Sequence, residues 1–145
     1  MDITKVGISV LLFRGDSVLL GKRKGSHGEG EWGTPGGKLE YMESFAEGAT
    51  REMAEEIGPQ VKFSSLQVFS VINLVEYAPK HYIDIGMSAE WESGDAALME
   101  PDKCEEWRWW DMFNLPSPRF ATIDRLMDAY LLRGPSFVDV EEKIS

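Results

Sequence analysis

From Gly36 to Pro59 the chain reads GGKLEYMESFAEGATREMAEEIGP, and no other stretch limits its possible folds so tightly. A glycine pair opens it and Gly58-Pro59 closes it, so a tight turn must lead into one short helix with a defined stop. The spacing predicts a helix from Glu43 or Ser44 to Ile57. Ala46, Ala49, Met53 and Ile57 form its apolar stripe, and the small alanines let it lie close to a sheet. Phe45 reads as a packing residue where the helix begins. Glu52, Glu55 and Glu56, three and one positions apart, share one side of that helix. Like charges so placed oppose a helix by ~0.2–0.5 kcal/mol per pair, and the helix itself contains no lysine to offset them, only Arg51. A merely solvated acidic face is therefore disfavoured. Clustered carboxylate oxygens suit Mg²⁺ or Mn²⁺, and Mg²⁺ is usually shared between a few carboxylates, waters and substrate phosphates. A phosphate compound is the substrate this implies.

Gly37, Glu43, Arg51, Glu52, Met53, Glu55, Glu56 and Gly58 follow the pattern Gly, five residues, Glu, seven residues, Arg-Glu, an apolar residue, any residue, Glu-Glu, any residue, Gly. In this the chain closely resembles the Nudix hydrolase family, with Pro59 standing where the family usually has an aliphatic residue. The resemblance implies an α+β fold, an α/β/α sandwich around a mixed twisted sheet, formed as a single domain over residues 1–145. It implies Glu52, Glu55 and Glu56 as metal ligands together with the backbone carbonyl of Gly36, the cation being Mg²⁺ with Mn²⁺ as alternative. Arg51 would orient the glutamates by pairing with Glu43 or Glu55, and the general base stands open between Glu55 and Glu52. Gly37, Glu43 and Gly58 would be structural, Glu43 meeting the helix dipole or Arg51. A further glutamate from a distant loop completes such sites. Glu100 is the candidate, with Glu90 and Glu92 as alternatives.

The segments Val18–Glu40 and Glu100–Trp110 resemble small MutT-like nucleoside triphosphate diphosphatases. The implied reaction takes a (deoxy)nucleoside triphosphate to monophosphate and pyrophosphate, a chemistry suited to sanitising the nucleotide pool. Two other readings stand beside it. One is cleavage of ADP-ribose or another nucleoside diphosphate linked to a second group. The other is a non-catalytic nucleotide sensor, which typically loses the box carboxylates that this chain keeps. Substrate contacts are sought at Gly37 and at Lys22, Arg23 and Lys24, the basic cluster of an acidic chain. On a strand Lys22 and Lys24 would face one way and Arg23 the other. Trp107, with Trp109 and Trp110 nearby, offers a stacking wall for a base. Family resemblance also makes a homodimer the expected assembly.

A formal net charge of −10 repels polyanions, and no basic stripe interleaved with aromatics is present, so duplex nucleic acid is excluded as a partner. Cys104 is the sole cysteine and reads as a plain core thiol; with His27 and His81 the only histidines, no zinc-finger spacing exists. The opening MDITKVGISVLLF alternates like a strand, and no run reaches membrane-spanning length, so a cytoplasmic protein without a membrane partner is expected. In order, the chain predicts a hairpin turning at Arg14-Gly15-Asp16 and a glycine-rich loop over Gly21–Gly37. Strands follow over Val61–Tyr77, broken near Ser64-Ser65, over His81–Glu92, and at CEEWRWW after a loop at Ser93–Lys103. A second helix should start at Ser117-Pro118 and end at Gly134, burying Phe120, Ile123, Met127, Tyr130 and Leu131, before a charged tail over 135–145.

Overall fold

The computed structural model describes residues 2–25, 27–132 and 136–139. Strands β1 (Thr4–Arg14) and β2 (Ser17–Arg23) form the expected hairpin, with Gly15 at φ +60° turning the chain and Phe13 opposite Val18. Not all of Gly21–Gly37 is loop. Trp32–Gly33 (β3) pairs with β2, and Gly36–Lys38 (β4) pairs with β1. Helix α1 (Phe45–Ile57) is followed by β5 (Lys62–Phe63), β6 (Gln67–Leu74), β7 (His81–Ser93) and β8 (Cys104–Asp111), then by helix α2 (Thr122–Leu131) and β9 (Ser136–Val138). Among the described residues the sheet runs β3-β2-β1-β7-β6-β9, with β4 also on β1, β5 on β7 and β8 on β2. It is mixed, because β1 and β7 lie parallel from Thr4 and His81 to Phe13 and Glu90 while β6 is antiparallel to β7.

The period-two alternation of these strands splits the apolar residues between two cores. Ile8, Val10 and Leu12 of β1 join Ile85, Met87 and Ala89 of β7 against Ala49, Met53 and Ile57 of α1. Leu11, Phe13, Leu20, Ile72 and Leu74 face Ile123, Leu126 and Met127 of α2 on the other side. One helix per face gives the α/β/α sandwich that the resemblance implies. Helix α1 starts on a capping box: the Glu47 N–H donates to Ser44 Oγ at 3.0 Å, and the Ser44 N–H donates to Glu47 Oε1 at 3.0 Å. Gly58, at φ +100°, ends it. Truncating fully buried Met53 or Ile57 to alanine would cost ~2–5 kcal/mol.

Several sequence expectations need correction. Ala46 is exposed and Phe45 is 40% exposed, so the first turn of α1 covers no sheet. The inner stripe begins at Gly48, where a Cβ would come within 2.8 Å of Ile8 Cδ1. Helix α2 starts at Thr122, five residues after Ser117. The Trp32 N–H donates to the Pro118 carbonyl at 2.9 Å and the Phe120 N–H donates to the Trp32 carbonyl at 2.8 Å, so this segment bonds to β3 instead of coiling. Leu131 is 49% exposed, and Leu126, fully buried over Gly86, takes the inward place assigned to it. Gly134 lies outside the described residues, as does the tail beyond Asp139. Ahead of that end, Ser136–Val138 pairs parallel with β6, and Asn73 Nδ2 donates to Asp139 Oδ1 at 2.9 Å. No helix among the described residues is long and apolar enough to cross a membrane.

Candidate active site

Strand β4 sets Gly36 opposite Ser9 and Gly37 opposite Ile8. At Gly36, with φ +150°, a Cβ would lie 1.9 Å from the Ile8 carbonyl oxygen. At Gly37 it would lie 2.4 Å from the Glu52 carboxyl group. Only glycine therefore lets the turn lie flat against both β1 and the helix glutamates. The Gly36 N–H donates to Glu56 Oε2 at 3.3 Å.

Arg51 is the hub of the helix carboxylates. Its Nε and Nη2 donate to the two oxygens of Glu43 at 2.7 and 2.9 Å, its Nη1 donates to Glu52 Oε1 at 2.9 Å and reaches Glu55 at 3.4 Å, and its Nη2 also donates to the Lys38 carbonyl at 2.9 Å. Both partners expected for Arg51 are thus present. Arg51 and the Glu40 N–H hold Glu43 down at about 2. Glu55 remains half-exposed at the edge of this network. Glu52 and Glu56 turn into a cleft instead. Burial raises Glu52, opposed by Arg51; burial and then the Glu52 charge push Glu56 up to about 8, with the Gly36 N–H opposing.

Glu100 lines the same cleft, with its Oε2 3.4 Å from Lys103 Nζ; the exposed Glu90 and Glu92 do not line it. Trp107 lines it too, its ring lying against Gly21, where a Cβ would be 2.7 Å away. Trp109 packs instead on Trp91 and Trp110 on Trp32. Of the basic cluster, Arg23 and Lys24 line the cleft, whereas Lys22 is turned away to Glu105 at 3.5 Å. Strict alternation fails here because the pairing of β2 shifts between Gly21 and Arg23 and the strand ends at Arg23, freeing Lys24 from its face. Lys80 and Lys103 add two cations that the sequence did not single out. Among the described residues no three His, Cys, Asp or Glu side chains converge closely enough to hold a metal as they stand. The donor set nonetheless fits a hard divalent cation. It is all oxygen, and burial makes Glu52 and Glu56 hold protons more tightly than free carboxylates.

A cavity of about 120 Å³ continues from this cleft and shares Arg23, His27, Gly36 and Gly37 with it. Its walls are aromatic: the His27 ring stacks 5.7 Å from Tyr82, and Phe120 carries the Arg23 guanidinium 4.3 Å above it. Burial, with Arg23 and Lys80 nearby, pulls His27 down to about 4, so its ring is neutral at physiological pH. Tyr77 braces Phe120 at 4.4 Å, donating its hydroxyl to Glu31 at 3.0 Å and accepting the Ala121 N–H at 2.8 Å. Deeper lies Asp84, buried, its Oδ1 accepting the Ser9 hydroxyl at 2.8 Å and its Oδ2 without a hydrogen-bond partner. Sequence reading passed over these residues. The available signal was a charged residue in the apolar strand HYIDIGMSA, on the face that Tyr82 and Gly86 share.

The NUDIX domain family matches residues 3–130. The chain belongs to the Nudix family. It is 34% identical over 126 residues to the NAD-capped RNA hydrolase NudC of Pseudomonas aeruginosa (strain LESB58) and 32% identical over 126 residues to that of Pseudomonas putida (strain GB-1). These alignments cover 86% of this chain and 43% of each relative, so the chain spans less than half the length of the curated relatives it matches. Among solved structures, the MutT NUDIX hydrolase of Burkholderia pseudomallei superposes with a TM-score of 0.81 at 27% identity, over 88% of this chain and 98% of that one. The Nudix sandwich accounts for the sheet with a helix on each face and for the seating of the glutamate helix against β1 and β4.

Proposed function

We propose that the chain is a metal-dependent hydrolase that cleaves a phosphoanhydride of a (deoxy)nucleoside triphosphate, releasing monophosphate and pyrophosphate. The observation that carries this reading is one cleft in which Glu52, Glu56 and Glu100 gather at the Gly36-Gly37 backbone beside Arg23, Lys24, Lys80 and Lys103. Glu52, Glu56, Glu100, the Gly36 carbonyl and, at the rim, Glu55 would hold Mg²⁺ or Mn²⁺. The bound cation supplies neutralisation of phosphate charge and polarisation of the phosphoryl oxygen.

The residues of the chain supply the rest. The cations lining the cleft draw the phosphate chain in and stabilise charge on the departing pyrophosphate. The Arg51 fork fixes Glu52 from behind in the cleft, where it is placed to take a proton from the attacking water; Glu55 stands at the exposed edge of the network. Trp107, on the same cleft, offers an apolar face to the nucleoside.

A second reading rests on the NudC relatives, whose name points to an NAD-linked dinucleotide. Cleavage there would release two mononucleotides and no pyrophosphate. The non-catalytic reading is disfavoured because the box carboxylates are all present and oriented. Product analysis after incubation with Mg²⁺ and a panel of triphosphates, NAD and ADP-ribose separates the three. Pyrophosphate plus monophosphate supports the first reading, two mononucleotides from NAD the second, and no product from any substrate the third.

A further inference from the structure

In the connection between β6 and β7, positions 75–80, Tyr77 is half-buried while Val75, Glu76, Ala78, Pro79 and Lys80 are exposed. Side chains of exposed connections are ordinarily mobile, yet this one is tied to both neighbouring segments, the glycine-rich loop and the lead-in to α2. Its hydroxyl donates to Glu31 Oε1 at 3.0 Å and accepts the Ala121 N–H at 2.8 Å. Its ring stacks on Phe120 with centroids 4.4 Å apart and planes 17° from parallel. Its own carbonyl accepts the Lys80 N–H at 3.0 Å, which closes the connection around it. Ala121 stands at the start of α2 with no side-chain cap, so the Tyr77 hydroxyl takes one of the N–H groups that the helix leaves unmet.

What this bracing serves is Arg23. The Arg23 guanidinium carbon lies 4.3 Å from the Phe120 centroid, and Arg23 Nε donates to the His27 carbonyl at 3.0 Å. Arg23 lines both the carboxylate cleft and the aromatic cavity, Phe120 lines the cavity, and Tyr77 lines neither. A guanidinium seated on a ring takes its plane and place from that ring, so an aromatic that shifts carries the cation with it. Phe120 has little room to shift. Tyr77 stacks on it, and the glycine-rich loop closes on it so tightly that a Cβ at Gly28 would come within 2.8 Å of Phe120 Cδ1. We propose that Tyr77 is a positioning residue for substrate binding: through Phe120 it sets the Arg23 guanidinium where cleft and cavity meet. This rests on the reading of the cleft as a phosphate-binding site and adds a residue outside the cleft on which that binding depends.

The test is a double-mutant cycle on the full chain. Steady-state kinetics with Mg²⁺ on the best-cleaved triphosphate, calorimetric binding of AMP, GMP, CMP and UMP, and a thermal melt are measured for Tyr77→Phe, Tyr77→Leu, Arg23→Lys and the doubles. Tyr77→Phe keeps the ring and loses the hydroxyl. It should raise KM about fivefold with kcat held within about twofold, because a contact made to bound substrate and transition state alike acts on KM. Tyr77→Leu also loses the stack and should raise KM about 20-fold. Lysine has no plane for a ring to set, so adding Tyr77→Phe to Arg23→Lys should change KM by less than about 1.5-fold. A tyrosine that only stabilised the fold would lower the melting temperature and act equally with and without Arg23. If Tyr77→Leu does not fold, Tyr77→Phe carries the same comparison. A KM for Tyr77→Phe within about twofold of wild type, or the same fold-change in both backgrounds, overturns the proposal. Monophosphate binding that weakens in Tyr77→Phe without hydrolysis of any triphosphate sinks the hydrolase reading alone. Turnover with an unchanged KM sinks this proposal alone, and a wild-type chain that neither binds nor turns over overturns both.

Discussion

Arg51 holds Glu43 in a two-pronged grip, Nε 2.7 Å from one carboxylate oxygen and Nη2 2.9 Å from the other, and so ties the turn before α1 to the middle of that helix. The same guanidinium reaches Glu52 at 2.9 Å, so the position of a cleft carboxylate depends on a residue at the helix start. Lysine keeps the charge but cannot make the fork. Arg51→Lys should lower kcat by about 10- to 100-fold, because small displacements of reacting groups are costly, with KM nearly unchanged. The melting temperature should fall as well. Steady-state kinetics with a thermal melt checks both, and a wild-type kcat would show that Glu52 needs no such support.

The two glycines of the turn should fail differently. A Cβ on Gly37 meets the end of the Glu52 side chain, which can swing away, whereas a Cβ on Gly36 meets the Ile8 carbonyl at 1.9 Å on a backbone at φ +150°. Gly37→Ala should change stability by less than about 1 kcal/mol and lower kcat/KM by about 100-fold. Gly36→Ala should cost roughly 2–4 kcal/mol by forcing β4 off β1. Urea denaturation of both variants beside their kinetics tests the contrast, and equal stability losses would contradict it.

This contrast marks what the sequence could disclose. The glycine turn, the glutamate spacing and the Arg51 partners were legible because they lie within one local segment, where helical geometry fixes who meets whom. Lys22 and Arg23 do face opposite ways, but Lys24 joins Arg23 in the cleft because alternation holds only while pairing is regular, and β2 shifts register and ends at Arg23. The start of α2 was missed because Pro118 and Phe120 bond to Trp32, a tertiary partner that outweighs the local signal of serine and proline. The pairing of Ser9 with Asp84 spans 75 positions and exists only through the parallel register of β1 and β7, which no local pattern encodes.

Glu56 should show function and stability in opposition. Burial beside Glu52 pushes its carboxyl up to about 8, so without a cation its negative charge is unwelcome. Neutral glutamine avoids that penalty. Glu56→Gln should raise the melting temperature in EDTA by roughly 2–4 °C, abolish turnover, and remove the upward shift in melting temperature that millimolar Mg²⁺ gives the wild-type chain. Thermal melts with and without Mg²⁺ suffice. A variant that keeps the Mg²⁺ shift would exclude Glu56 as a metal ligand.

Asp84 makes a pH-dependent prediction of the opposite kind from an exposed, salt-bridged acid. Burial raises it from the ordinary 3.8 to about 6, with the Ser9 hydroxyl opposing, so the folded state holds the proton more tightly than the unfolded chain. Stability is then fullest below about 4, where both states are protonated, and declines as pH rises until the folded group ionises near 6. A shift of about two pKa units corresponds to at most roughly 3 kcal/mol, all of it lost above that point. Asparagine does not titrate. The stability of Asp84→Asn relative to wild type should therefore be near zero at pH 4, climb between pH 4 and 6, and level off at about 2–3 kcal/mol by pH 7. Urea denaturation at each pH measures this difference directly. A difference that stays constant across the range would mean that the Asp84 carboxyl meets the same surroundings folded and unfolded, contrary to its burial beside Ser9.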